Sequence, residues 1–512
     1  MSRYIGFTLV VALATGPAAP ALASYAFYVG KNLTETGGVL IGGTGEEVSS
    51  HWLEIVPSET HAEGATVSVG VTEAASIPGR LIEIPQVSQT HRYLSMSYSD
   101  YEGFPAPLTN GGINAHSVAV RDVWAPNRAD LVEMTPTPQE GLQYSDLARL
   151  VMERATTARE GVDLIGSLIA EHGYATYGGN THLIADPDEG WIVWEFAGGQ
   201  GLWVAERLGP DDVRVLYPGY IEEVPADYLE NPDFAGSDNL FSFAEAQGWI
   251  DAGAGSLNVF EVYGSRGEGD TARTGGFKYV SQADVEGELS DLAPVSVTEM
   301  MAMTRDPRIA DDEAGYGQVA ELVAGVDPDL VQIWVAPTGS VTAPFIPWWL
   351  GVQEVPLEYA QHRYLTKDAA SSFLNPDYRE QEATEFAGRT FKRLMYLTCT
   401  RPETYLPLVV EALDGFEAAS MADLEWVEGA ATGLVEAGER EIAQEVLTHY
   451  ATTRAHEALE LGNVTVDAVE AHLRLTGGLR RPEGDLINDQ WQGGETVNCL
   501  AGADPDQPAD EQ

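Results

Sequence analysis

Six short runs of strand-forming residues lie between Tyr25 and Val120, and their place ahead of any helical stretch limits the fold more than any other feature of the chain. The runs at 25–29, 39–41, 52–56, 66–71, 93–98 and 117–120 are rich in β-branched and aromatic residues and mostly end at glycine, proline or an acid. Two helical stretches follow. Leu147, Leu150, Val151 and Ala155 share one side of a helix opening at Ser145, and Val162, Ile165, Leu168 and Ile169 share one side of another that Gly173 ends. Strands resume at 181–185 and 191–196, joined as a hairpin through the turn-rich Asp186-Pro187-Asp188-Glu189-Gly190, and 201–206 and 213–217 supply the next two. The order strands, helices, strands predicts an α+β architecture of packed antiparallel sheets covered by helices and argues against alternating βαβ units.

The pattern over 218–347 assigns no clear elements. Within it, residues 264–270 read as a loop, because their glycines lack the preceding strand and following helix that a phosphate cradle needs. From Asn375 onward Phe386, Leu394, Leu397, Leu408, Val409, Leu424, Val427, Ile442, Val446 and Leu447 recur at helical intervals. The division expected is a leader over 1–23, a main domain over 24–370, a helical region over 371–480 and an acidic, flexible tail over 481–512.

The leader has a basic start at Arg3, an apolar stretch over 5–14 and the small-residue site Ala21-Leu22-Ala23, the three parts of a secretory signal; it is too short to span a bilayer. Cleavage by signal peptidase after Ala23 leaves Ser24 with a hydroxyl and a free α-amine, and places the protein outside the cell or in the periplasm. A serine hydroxyl is a weak nucleophile, and the chain's own terminal amine, with an ordinary pKa of about 7.7–8.0, can take its proton near neutrality. The bland reading is that a small residue simply follows a cleavage site. Charge narrows the partners: 79 acids against 28 bases give −51, which repels phosphate backbones and anionic lipid, so nucleic-acid and peripheral-membrane roles are excluded. Cys399 and Cys499 are the two cysteines, and export predicts a disulfide between them.

Other chemistries lack their motifs. The chain has no Gly-x-Ser-x-Gly elbow, no His-Glu-x-x-His helix and no phosphate loop ending in Gly-Lys-Ser/Thr. Asp186 with Asp188, and Asp233 with Asp238, lack the regular alternation of oxygen ligands of a helix-loop-helix calcium site, so no metal is assigned. His182 is either an acid–base group or a hydrogen-bonded structural histidine.

The run Ser24-Tyr25-Ala26-Phe27-Tyr28-Val29-Gly30-Lys31-Asn32, followed by Gly38-Val39-Leu40-Ile41-Gly42, resembles the opening of the dipeptidase A family of N-terminal-nucleophile peptidases, relatives of choloylglycine hydrolases and penicillin V acylases. The similarity continues through residues 108–114, 177–186 and 201–207 and reaches about Leu475. It implies a four-layer αββα sandwich with a helical C-terminal extension, an acyl-serine intermediate at Ser24, and Asn114 as the asparagine that holds the oxyanion; the alternative for Asn114 is a turn cap after Gly111-Gly112. Asn180, Glu46 and His182 are the candidates for positioning substrate or the catalytic groups. No cofactor is implied.

Three departures from the family pattern stand out. Serine replaces the usual cysteine at position 24, Gly43-Thr44-Gly45-Glu46-Glu47 replaces an Arg-Asn-Glu-Asp-like run, and an asparagine is replaced near Tyr217-Pro218, a loss Asn180 can make good. The expected activity is cleavage of dipeptides. The alternatives are hydrolysis of N-acyl amides, or a catalytically silent binding protein that keeps the fold.

Overall fold

The computed structural model describes residues 24–45, 51–217, 219–265, 280–310, 314–362, 381 and 383–476. The leader, Glu46 and the tail lie outside the described residues, and so does Cys499 with its expected pairing to Cys399.

Two antiparallel sheets form the centre. The six-stranded sheet runs β12 (Val213–Leu216), β1 (Tyr25–Val29), β2 (Val39–Thr44), β16 (Gly317–Leu322), β17 (Gln332–Ala336) and β18 (Ile346–Trp349). The eight-stranded sheet runs β14 (Phe234–Gly236), β11 (Trp203–Leu208), β10 (Gly190–Glu195), β9 (Asn180–Ala185), β8 (Ala119–Trp124), β7 (Leu108–Asn114), β6 (Tyr93–Tyr98) and β3 (His51–Val56). Two small ribbons pair β4 (Thr66–Val69) with β5 (Ile82–Pro85), and β13 (Glu223–Pro225) with β15 (Ser256–Asn258).

Helices cover both outer faces, giving the expected αββα layering. After the short α1 (Ala129–Glu133), α2 (Tyr144–Arg154) and α3 (Ala158–His172) lie on the eight-stranded sheet. Beyond α4 (Leu240–Gln247) and α5 (Val259–Tyr263), α6 (Gln282–Leu292) and α7 (Val297–Arg305) lie on the six-stranded sheet. Of the C-terminal helices α8 (Ala387–Thr398), α9 (Pro402–Glu436) and α10 (Arg440–Thr476), the last two pack against β18 and α8 packs on them, and Val427, Ala431, Leu447 and Ala451 join one continuous core with the strands.

Local chemistry sets the element ends. At the start of α2 the Ser145 amide donates to Gln143 Oε1 at 2.7 Å and the Gln143 amide to Asp146 Oδ2 at 3.2 Å, so two otherwise orphaned donors are satisfied. Thr157 accepts from the Glu160 amide at 3.1 Å to start α3, and Gly173 ends it at φ +86°, a conformation costly for a residue with a Cβ. Asp186 pins the β9–β10 hairpin: its Oδ1 accepts from the Asp188 and Glu189 amides at 2.8 and 3.1 Å, and its Oδ2 from the Ala158 amide at 2.7 Å. These contacts assign its carboxylate to the turn and to the first turn of α3.

Strand alternation is resolved by the two cores. Along β9, Leu183 and Ala185 belong to the core between the sheets, and Ile184 to the core under α2 and α3. On β10, Ile192 and Trp194 face the first and Trp191 and Val193 the second. Both faces are dry, which is why these strands read as continuous apolar runs.

Candidate active site

Register fixes where Ser24 points. Ala26 pairs with Gly43 on β2 and with Leu216 on β12, so Ser24, one residue ahead of β1, stands level with Gly45. Residues two apart on a strand, and residues directly opposed across it, share a face. Tyr28 shows which face: its hydroxyl donates to the Gly209 carbonyl, just past β11 of the opposite sheet, at 2.9 Å. Tyr25 points the other way and donates to the Thr304 carbonyl on α7 at 2.6 Å. Ser24 is thus half-buried at one end of the layer between the sheets.

Glycines let the strands close around this point. Gly43 has φ +136°, and a Cβ there would lie 2.1 Å from the Tyr25 carbonyl oxygen. A Cβ on Gly45 would lie 2.8 Å from both Asn110 Oδ1 and Tyr316 Cε1. Asn110, near the start of β7 in the facing sheet, therefore sits over the strand position beside Ser24, and adjacent strands are only about 4.8 Å apart.

A buried polar chain leads away from Asn110. His51 Nε2 lies 2.6 Å from Asn110 Oδ1, and Asn110 Nδ2 donates to Asp122 Oδ1 at 3.0 Å. Asp122 is the β8 neighbour of His182 on β9, and His182 Nδ1 lies 2.7 Å from Glu195 Oε1 on β10. His182 Nε2 is 3.0 Å from the Tyr144 carbonyl, which can only accept, so this nitrogen carries a proton. Burial pushes the Asp122 and Glu195 carboxyls above their ordinary range. Burial alone would depress the imidazole of His182, but the adjacent Glu195, with Asp122, outweighs it and holds the pKa above its ordinary value.

The expected site residues separate in space. Asn114 lies at the far end of β7, four residues beyond Asn110 and thus about 13 Å along the strand. Its Nδ2 donates to the Met152 and Ala155 carbonyls at 3.1 and 2.8 Å, and its Oδ1 accepts from the His116 and Val118 amides at 2.9 and 3.1 Å. Both amide hydrogens are committed to the end of α2. In this structure Asn114 occupies the turn-cap alternative, away from Ser24. Asn180 and His182 are fully buried on the outward face of β9, opposite to Thr181 and Leu183, and do not face Ser24 directly; Asn180 accepts from the Tyr177 hydroxyl at 3.1 Å. Thr181 does face inward, donating at 2.6 Å to the Gly219 carbonyl in the segment that follows β12. Glu46 lies outside the described residues. The sequence reading missed Asn110, although it belongs to the same 108–114 run as Asn114, because nothing in that run tells which asparagine reaches the facing sheet.

Among the described residues no group of three or more His, Cys, Asp or Glu is placed to hold a metal ion. Asp233 is paired with Arg207 at 3.2 Å. A groove of about 990 Å³ lined by Glu140, Asp163, Trp203 and Asp238 opens on the helix-covered side of the eight-stranded sheet, on the opposite face from Ser24.

Comparison with known proteins adds a partial match to one family. The profile of peptidase family C69 matches residues 75–285, a span that includes Asn110, Arg121 and the Asp122–His182–Glu195 cluster. A probable dipeptidase B from Streptococcus pyogenes serotype M3 is 27% identical over 226 residues, and one from serotype M1 is 26% identical over the same length. Each alignment covers 43% of this chain and 41% of the relative, so the chain spans about two fifths of the length of these curated relatives. Among solved structures, a mutant of the conjugated bile acid hydrolase from Clostridium perfringens overlaps 68% of this chain and 100% of its own, with 9% identity and a TM-score of 0.31. A second variant of that hydrolase overlaps 64% of this chain and 93% of its own, with 10% identity and a TM-score of 0.32.

Proposed function

We propose that the protein is an exported peptidase acting on dipeptides, with Ser24 as its nucleophile once signal peptidase has removed residues 1–23. The observation that carries this reading is the position of Ser24: it stands at the start of a central strand, facing the layer between the sheets, with the Asn110 side chain, its Oδ1 nearest, brought over the neighbouring Gly45. The match of 75–285 to a peptidase family and the dipeptidase names of the relatives support a peptide amide as substrate.

In this mechanism the α-amine of Ser24 takes the hydroxyl proton while Oγ attacks the scissile carbonyl carbon. The tetrahedral oxyanion takes a hydrogen bond from the free hydrogen of Asn110 Nδ2, which requires the amide to turn from the orientation in which its Oδ1 is nearest Gly45; an amide donor in an oxyanion hole contributes about 3–4 kcal/mol to the transition state. The C–N bond then breaks, the leaving amine takes the proton from the ammonium, and an acyl ester remains on Ser24. Water, deprotonated by the same amine, attacks the ester and releases the second product.

The test is covalent. Protein recovered from an exporting host is sequenced at its N-terminus and treated with an amide-directed electrophile. A start at Ser24 with label on that residue is expected, whereas a start at Leu22 or Tyr25, or folded protein that takes no label there, would sink the proposal.

A further inference from the structure

A buried cluster of hydrogen-bond donors lies on the face that Ser24 shares. Arg121 of β8 is 2% exposed, and its register with Gly111 and Leu183, with Val120 turned to the helix side, aims it at the six-stranded sheet. There its Nη1 donates to Gln318 Oε1 on β16, and its guanidinium carbon stands 5.0 Å from the centre of the Tyr316 ring. Arg121 Nε and Nη2, Gln318 Nε2 and the Tyr316 hydroxyl have no partner at hydrogen-bond geometry among the described residues, although the guanidinium stands close enough to interact with the Tyr316 hydroxyl. Burial pushes the Tyr316 phenol above its ordinary range, so it keeps its proton. Asp122, the next residue along β8, is turned to the opposite face and bonded to Asn110.

Every unfilled atom of this cluster can donate, and those of Arg121 and Gln318 can do nothing else. A buried guanidinium with open N–H groups is costly to maintain unless an acceptor completes it, and a planar carboxylate is the acceptor that matches its fork. The placement is suited to a substrate. Gln318 pairs with Gly43, and Gly43 with Ala26, so the cluster lies two strands from Ser24, roughly 10 Å across the sheet. The carboxylate of a dipeptide lies one residue, about 3.5 Å of chain, beyond its scissile carbonyl, and a bond to Ser24 at one end with hydrogen bonds of about 3 Å at the other closes that gap.

We propose that Arg121, with Gln318 and Tyr316, forms the pocket for the C-terminal carboxylate of the substrate. The pocket restricts cleavage to peptides whose leaving residue ends in a free acid, and it rests on the assignment of Ser24 as nucleophile.

The experiment compares alanyl-alanine with alanyl-alaninamide on mature protein. Binding is measured by calorimetry on Ser24→Ala, alone and combined with Arg121→Gln or Arg121→Lys, and turnover of the same pair is measured with Ser24 intact. Ser24→Ala should bind the acid about ten- to hundredfold more tightly than the amide. Arg121→Gln should equalise the two, and Arg121→Lys should keep part of the preference, since an ammonium retains the charge but not the fork. If Arg121→Gln does not fold, Tyr316→Phe removes one donor with little change of shape and should reduce the preference several-fold. A preference that survives Arg121→Gln, equal binding of acid and amide by Ser24→Ala, or no binding of either, with the cluster then holding only a buried water, overturns the pocket. Acid-selective binding without turnover breaks the nucleophile assignment alone, and turnover without selectivity breaks the pocket alone.

Discussion

The two ends of β7 carry the same side chain into opposite circumstances. Asn110 lies across the interface between the sheets, against Gly45 of one strand and Asp122 of another, and one of its amide hydrogens has no assigned partner in its own sheet. Asn114 closes a turn at the other end, with both hydrogens donated to the last carbonyls of α2 and its oxygen taking two backbone amides. The first amide reaches the strand position beside Ser24, where the proposed mechanism uses it. The second holds the turn to the helix. The difference teaches that position along a two-faced strand, more than residue type, decides whether an amide can do chemistry.

Mutating the two ends sharpens this contrast most. Asn110→Ala should lower kcat/KM for dipeptides by about a hundred- to a thousandfold, with most of the loss in kcat, and should also lower the unfolding midpoint, because His51 Nε2 and Asp122 Oδ1 lose a buried partner. Asn114→Ala leaves two buried carbonyls and two amides without partners and should cost about 3 kcal/mol of stability in urea unfolding, while the protein that remains folded keeps its kcat. The contrast breaks if Asn114→Ala abolishes turnover in well-folded protein, or if Asn110→Ala leaves turnover intact.

Titration separates the site end from the dry network behind it. The folded pKa of His182 is raised by Glu195 and Asp122 despite its burial, and burial raises that of Glu195. A raised pKa contributes stability that is complete below the unfolded value and is lost as pH rises through the folded one. Wild-type stability, measured relative to a His182→Gln/Glu195→Gln variant that cannot titrate there, should therefore fall as pH rises past the ordinary carboxylate and imidazole values and through the raised folded ones. A difference that grew over this range would reverse the assignment.

The smallest effect belongs to the far end of β1. Lys31, two residues past the strand, reaches Asp188 at 2.6 Å, with side chains 35% and 77% exposed. Exposed pairs contribute about 0–1 kcal/mol and are screened by salt, so Lys31→Ala should shift urea unfolding by less than about 1 kcal/mol and leave turnover unchanged. A loss of activity there would mean that the two ends of the strand are coupled.

Much of the architecture was legible in residue order. The six early strand runs, the helices ending at Arg154 and at Gly173, the hairpin through Asp186 and the long C-terminal helices all follow from local periodicity and turn chemistry, which act over a few residues and leave a direct trace in the chain. The strands β16–β18 were not legible, because β16 finds β2 across most of the chain and its Gly317–Leu322 run alternates too weakly to announce itself. Ser24 could be singled out by sequence alone, since its significance lies in its neighbours along the chain. The choice of Asn110 over Asn114 could not, nor could the approach of Arg121 to Gln318 or the burial of His182 against Glu195. Those depend on which face of a strand meets the opposite sheet, and for Asn110 and Asn114, an even four residues apart, on the register shift of β6 against β7 at Ser95–Ser97 that interrupts the two-residue alternation between them.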